Sequence, residues 1–248
     1  MINQYFTERR SVRKFQKKEI SQSLLENIIT AAAKAPTCGN MQLYTVIATR
    51  EESRKKELSA YHFNQPACGA PVVLTVCADF NRFTRWCNIN NADAGYDNFL
   101  SFTSAVADAM IFAQQICTIA EMEGLGTCYL GTVTYNAPEI AALLKLPEMV
   151  MPIACLAIGY PDEDGVETER LPLRAILHDE EYRSDSDAEI TELFRVKDEY
   201  PANQKFIEEN GKDNLAQVFA EVRYPRGMNE EFSAKLLKWL SATWYKSH

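Results

Sequence analysis

Histidine is scarce in this chain: three in 248 residues, at His62, His178 and His248. The seven cysteines (Cys38, Cys68, Cys77, Cys87, Cys117, Cys128 and Cys155) never fall as Cys-x-x-Cys, so a zinc ligand set is missing and no metal centre is expected. Their odd number and wide spacing, inside apolar runs such as VLTVCAD, AQQICTIA and PIACLAIG, argue against a disulfide framework. They read as buried free thiols in a reducing, cytoplasmic setting. No apolar run is expected to span a bilayer, and MINQYFTERR has no apolar segment behind a basic start, so no secretory signal is expected. A net charge of -8 and a pI of about 5.1 remove long-range attraction for phosphate backbones and acidic membranes, so neither is an expected partner. The glycine stretch GLGTCYLGTVT fits neither Gly-x-Gly-x-x-Gly nor a Walker loop, which leaves a dinucleotide-binding fold unsupported. Nor does a nucleophile stand out: Ser11 lacks a neighbouring histidine, and Cys38 has no cationic helix start to make it a thiolate. No catalytic side chain is therefore named; if the protein is an enzyme, a cofactor carries the hard step.

What is present is an ordinary globular composition, 46% apolar and 24% charged, enough for a sizeable core. The pattern predicts a helix over 21–34, with Ser21 as its cap, stopped by Pro36. Strands are predicted over 43–49, 70–80 and 152–160, the second apolar on both faces and so central. Helices are predicted over 51–61, 103–123 and 138–146, with a short strand in the 124–134 stretch. Residues 82–102 read as irregular, the chain after Pro161 as acidic and loop-rich, and Asn229 as the cap of a last amphipathic helix. Helices and strands intermix without a βαβ cadence, which predicts an α+β fold: a core over 1–182 and a C-terminal helical extension over 183–248 in the same domain.

Cations are gathered in one place. Six of the ten residues from Arg9 to Lys18 are Arg or Lys. On extended chain Arg9, Ser11 and Arg13 face one way, a charge-assisted cradle for one phosphate; alone, the run reads equally as a solvated surface paired with Asp and Glu elsewhere. In APTCGNMQ, Thr37, Asn40 and Gln42 offer groups for a planar heterocycle or a ribityl chain, or serve as an ordinary helix stop. GTCYLGTV could bring backbone N–H groups to a ligand, or simply end a strand.

Together and in order, RRSVRKF, APTCGNMQ, APVVLTVCADF, GLGTCYLGTV, LLKLP and RLP resemble the FMN-dependent nitroreductase/flavin reductase family. The chain is most like the oxygen-insensitive NAD(P)H nitroreductase branch, whose members carry a long extension after the last core strand. The resemblance implies a mostly antiparallel central sheet flanked by helices, in an intertwined homodimer with FMN at the interface. It implies an FMN-dependent NAD(P)H oxidoreductase: hydride passes from NADPH or NADH to flavin N5, then two electrons pass, in ping-pong order, to a nitroaromatic, quinone or flavin acceptor. A dedicated reductase releasing free reduced flavin, and a low-turnover flavin storage or sensor protein, are the competing readings.

Carried over by resemblance, Arg9 and Ser11 match phosphate-binding positions with Arg10 beside them, and Arg170 matches a second phosphate ligand. Arg13 matches a cation near the ribityl chain and the N1–O2 edge, where it would stabilise the negative charge that reduction places there. Thr37 matches a hydroxyl at the flavin, with Asn40 and Gln42 in the same turn. Gln65 matches a glutamine approaching the ring, and Tyr129, Leu130, Gly131 and Thr132 match the segment beside N5. Arg223 and Arg226 are candidates for reading a 2′-phosphate.

Overall fold

A computed structural model of the chain describes residues 4–245. By internal contacts these form two units, residues 4–166 with 233–245, and residues 167–232. The stretch from 183 onward is thus shared between them.

The first unit opens with α1 (Gln4–Glu8) and an extended basic segment, followed by α2 (Gln22–Ala32). Ser21 caps α2 as expected, its hydroxyl accepting from the Leu24 N–H at 3.2 Å, and Leu25, Ile28 and Ala32 make its buried stripe. Next come β1 (Tyr44–Thr49), α3 (Glu52–Tyr61), β2 (Val72–Asp79), α4 (Asn81–Ile89) and α5 (Phe99–Met122). β3 (Gly126–Tyr129), α6 (Ala137–Leu144) and β4 (Val150–Gly159) complete the sheet region. The four strands lie in the order β1-β2-β4-β3, every pair antiparallel, with a register shift between Val76 and Cys77. The central strand β2 is buried along its whole length, as its apolar run predicts.

One sheet face packs Leu74, Val76, Leu156 and Ile158 against Ile28 of α2 and Phe112 and Ile116 of α5. The other packs Val73, Cys155 and Ala157 with Leu58 of α3 and Ile140 of α6. Each fully buried Leu, Ile or Phe here is worth about 1.5–3 kcal/mol of transfer free energy. α5 starts four residues before its expected position because the Asn98 side chain accepts from the Ser101 N–H, and it ends at Gly124, whose φ is +81°. On length and composition alone α5 could cross a membrane, contrary to the sequence reading. It nevertheless packs on the sheet and carries Asp108 and Glu121.

Three further expectations are corrected. Residues 82–102 are not irregular throughout, because α4 fills 81–89; Phe83, Trp86 and Cys87 at helical spacing are its short stripe, though only Cys87 is fully buried. The second unit is not mainly loop: it holds α7 (Asp187–Asp198), α8 (Pro201–Glu209) and α9 (Leu215–Gln217), the last running into a π-turn over Val218–Arg223. A capping box between Ser186 and Glu189 starts α7. The last helix, α10 (Arg226–Thr243), begins before Asn229, whose side chain donates to the Tyr224 carbonyl instead of capping. The residues of α10 from Ser233 onward belong to the first unit.

Two glycines let the basic segment lie on the sheet. A Cβ on Gly126 would fall 2.8 Å from Val12 Cβ, and one on Gly159 would fall 2.5 Å from Pro71 Cδ and 2.9 Å from Phe15 Cδ1. Backbone bonds from Val12 N–H to the Thr127 carbonyl (3.0 Å) and from Gln16 N–H to the Tyr160 carbonyl (2.9 Å) fix the same register. Gly159→Ala is therefore expected to destabilise by about 1–3 kcal/mol, since a proline ring and an aromatic ring cannot both yield cheaply. Urea unfolding measures this, and a loss below a few tenths of a kcal/mol would contradict the packing.

Candidate flavin-binding site

The basic run is partly packed and partly surface. Val12 turns into the core, while Arg9 and Ser11 are half-buried and Arg10 and Arg13 exposed. Arg9 leans on α5: its Nε lies 3.4 Å from Glu121 Oε2 and its Nη2 donates to Cys117 Sγ at 3.7 Å. Burial opposes the Arg9 charge, yet Glu121 and Cys117 hold its guanidinium above the usual range. The Arg13 and Lys14 N–H groups both donate to Glu163 Oε1, at 2.7 and 3.2 Å, and hold that exposed carboxyl below its usual range. Lys18 sits 3.7 Å above the Tyr160 ring. The cluster is therefore partly neutralised, while the Arg13 guanidinium makes no hydrogen bond or ion pair among the described residues.

Tyr129 and Cys128 of β3 stand beside this segment. Burial, helped by Cys117 and Glu121 and opposed by Arg9, pushes the Tyr129 phenol well above its usual range; Cys128 is also raised by burial, with Arg13 and Arg9 pulling against it. Leu130 is fully buried and its N–H is taken by the Cys155 carbonyl, so neither its side chain nor its amide faces outward. Gly131 is exposed, and a Cβ there would meet nothing within 4 Å.

Thr132 gathers two partners: Gln65 Nε2 donates to its Oγ1 at 3.1 Å, and His62 Nδ1 lies 2.9 Å from the same oxygen. The family resemblance placed Gln65 near the ring, from either subunit, without linking it to Thr132, and sequence reasoning missed His62. The imidazole is fully buried, its Nε2 without a partner among the described residues, and burial pushes its pKa down to about 4. An unfolded histidine binds its proton near pH 6.5 and this folded one near 4, so the fold's contribution is complete above pH 6.5 and is lost as pH falls through 4. The shift is worth about 3 kcal/mol. Wild type should lose that much more stability between pH 7 and 4 than His62→Gln. Parallel denaturant-derived pH profiles would refute it.

Thr37, Asn40 and Gln42 occupy a turn whose shape is imposed from outside. Gly39, Asn40 and Gln42 all have φ near +55°, which costs a non-glycine residue about 1–2 kcal/mol. Asp108 of α5, 1% exposed, accepts from the N–H of Cys38 at 2.8 Å and of Leu43 at 3.1 Å. Arg82 Nη2 donates to the carbonyls of Gln42 and Tyr44 at 3.2 and 2.8 Å. Sequence reasoning missed Asp108 and Glu121. The readable signal was that these are the two acids of an otherwise apolar helix, Asp108 squarely on its buried face, where acids occur mainly when partnered.

The predicted set divides between the middle and the C-terminal end of α5. From Asp108 to Glu121 the helix rises about 20 Å, with the Thr37–Gln42 turn at one end and Arg9 at the other. A cavity of about 610 Å³ beside Lys55 is lined by none of the set.

In the second unit, Arg170 is exposed and folded on its own backbone, bonding the Thr168 hydroxyl and the carbonyls of Thr168 and Glu169. Burial works against the Glu169 charge, yet Lys197 (2.9 Å) and Asn203 (3.1 Å) hold that carboxyl below its usual range. Arg223 lies over the Phe206 and Phe219 rings, and Arg226 pairs with Glu230.

The cysteines are all free; burial raises Cys77 and Cys155 far above their usual range, and Cys38 is raised by desolvation and by Asp108. No group of metal-ligating side chains is found among the described residues.

Comparison with known proteins meets this geometry. Residues 6–160 match the Nitroreductase family. An NAD(P)H-dependent FMN reductase of Bacillus subtilis is 33% identical over 243 residues, 94% of this chain and 97% of the relative. A Cr(VI) reductase of a Pseudomonas species is 30% identical, covering 91% of this chain and 94% of the relative. Among solved structures, a candidate oxidoreductase of Bacteroides fragilis superposes with a TM-score of 0.94 at 46% identity, over 96% of this chain and 97% of the other. With its antiparallel sheet between helices, its basic segment laid along β3 and relatives matched over almost their whole length, the chain belongs to the nitroreductase family.

Proposed function

We propose that this protein is an FMN-dependent NAD(P)H oxidoreductase that reduces small planar acceptors such as nitroaromatics, quinones or flavins by two electrons. The observation that carries the reading is the basic segment on β3: Arg9 anchored from behind, and Arg13 with a guanidinium free to meet an anion. That donor set suits FMN, which offers a phosphate and an N1–O2 edge that becomes anionic on reduction. When bound, FMN supplies the redox chemistry by taking hydride from the nicotinamide and yielding two electrons to the acceptor. The chain supplies position and charge. Arg9 and Ser11 would hold the phosphate, with Arg10 beside them, and Arg13 the N1–O2 edge. The open backbone at Gly131 would approach the ring without a side chain in the way of the nicotinamide. Thr132, tied to Gln65 and His62, would keep that loop in place.

A second copy of the chain completes the site in this reading. The Thr37–Gln42 turn of one copy would reach the flavin held by the Arg9 segment of the other, because α5 keeps the two apart within one chain. The exposed Phe99, Leu100, Met110 and Ile111 of α5 give such a dimer an apolar surface to bury. A dedicated reductase releasing free reduced FMN is the second reading, favoured by the name of the 33%-identical relative.

The deciding experiment is an anaerobic visible spectrum of the protein filled with FMN, before and after NADPH or NADH. Bleaching of the flavin band is the expected result, and the faster nucleotide is the working donor. Bound flavin that stays oxidised with both nucleotides would overturn the oxidoreductase reading. Reduced flavin passing a membrane that retains the protein would favour the second.

A further inference from the structure

The phosphate cation is itself held by a buried carboxylate that the flavin reading does not use. Glu121 has a side chain 8% exposed, against 26% for Arg9. Its Oε2 accepts from the Tyr5 hydroxyl at 2.6 Å and lies 3.4 Å from Arg9 Nε. Its Oε1 accepts from the Thr127 hydroxyl and from Cys117 Sγ at 3.6 Å. These donors come from α1, the basic segment, α5 itself and β3, so the carboxylate ties four elements together. Only the inner edge of the Arg9 guanidinium is engaged: Nε is buried and ion-paired with Glu121 without a hydrogen bond of its own, and Nη2 donates to Cys117. Nη1 makes no bond among the described residues, and a quarter of the side chain is open to solvent. A planar fork clamped on one edge presents its other edge in a fixed direction, which is how arginine discriminates a phosphate from a neutral group.

We propose that Glu121 is a positioning residue that aims Arg9 at the flavin phosphate and so sets the preference for FMN over riboflavin. The inference rests on the reading of Arg9 as the phosphate cation. Glu121 touches neither flavin nor nucleotide; it acts through Arg9. A carboxylate suits the position because Tyr5, Thr127 and Cys117 all donate to it and Arg9 brings the opposite charge. Glutamine would turn its NH2 either toward Tyr5 and Arg9 or toward Thr127 and Cys117, and would give up the carboxylate charge that faces Arg9.

The test compares FMN and riboflavin affinity, by flavin fluorescence quenching, in flavin-stripped wild type, Glu121→Gln, Arg9→Ala and the double variant. Glu121→Gln should weaken FMN by about tenfold and leave riboflavin within about twofold, since the lost alignment is worth one charge-assisted contact. In the Arg9→Ala background the same change should move neither ligand. Equal loss of both ligands in Glu121→Gln would mean a merely structural role and would overturn the proposal. Tighter FMN binding would overturn it too, by making Glu121 a competitor for Arg9. If Arg9→Ala leaves FMN affinity unchanged, it is the phosphate reading that fails. If Arg9→Ala loses FMN and Glu121→Gln does not, only the present inference fails. Should Glu121→Gln not fold, Thr127→Val removes one anchor of the same carboxylate at nearly constant shape. It should lower the FMN-to-riboflavin ratio about threefold, and an unchanged ratio would refute the proposal.

Discussion

Asp108→Ala should cost the fold about 3–6 kcal/mol, because it removes two charge-assisted hydrogen bonds worth about 1.5–3 kcal/mol each. The bonds run from a 1%-exposed carboxylate to the two ends of the Thr37–Gln42 turn, at Cys38 and Leu43. Without them the left-handed Asn40 and Gln42 lose the partner that holds them in an unfavourable conformation. Asp108→Asn should recover part of the loss, since its amide oxygen can accept one bond while its NH2 faces a donor. Denaturant unfolding of the three proteins measures the series. A midpoint for Asp108→Ala within experimental error of wild type would show that the turn holds itself.

Arg9→Ala should weaken FMN binding about 10- to 100-fold, the loss of one charge-assisted phosphate contact. It also strips a cation from Glu121, so a stability loss of about 1–3 kcal/mol accompanies it. Riboflavin separates the two effects. It lacks the phosphate, so its affinity reports the scaffold alone and should fall far less. Titration calorimetry with both flavins gives the ratio. A proportional loss of both would assign Arg9 to the scaffold and leave the phosphate without its main cation.

The strands were legible because β2 and β4 are buried nearly throughout and their apolar runs say so. α2 was legible because Ser21, its stripe and Pro36 agree. α4 was missed although Phe83, Trp86 and Cys87 fall at helical spacing; the stripe is one turn long, and Trp86 and Ile89 lie at the surface. α7 and α8 each bury a single residue, Leu193 and Ile207, too little to stand out in an acidic stretch. The spacing of Ser186 and Glu189 was nevertheless a readable start signal. Of the site, the basic run was visible as composition, but its division into anchored Arg9 and unpaired Arg13 depends on α5 lying beneath it. The three-way contact of His62, Gln65 and Thr132 brings together residues about seventy positions apart, which no local pattern encodes.

The return of the chain to its first unit after residue 232 bears on the order of synthesis. Leu240 and Trp244, each 3% exposed, belong to the same core cluster as Phe112 and Leu74, and the Trp244 ring meets Phe102 edge-on with centroids 5.0 Å apart. The Met149 N–H, just ahead of β4, donates to the Thr243 carbonyl at 3.0 Å. A nascent chain that has already made all four strands still lacks these contacts, so its core stays open until residue 244 has left the ribosome. At about 5–20 residues per second, the eighty-odd residues after β4 amount to several seconds of exposure, a window in which chaperones have the most to do.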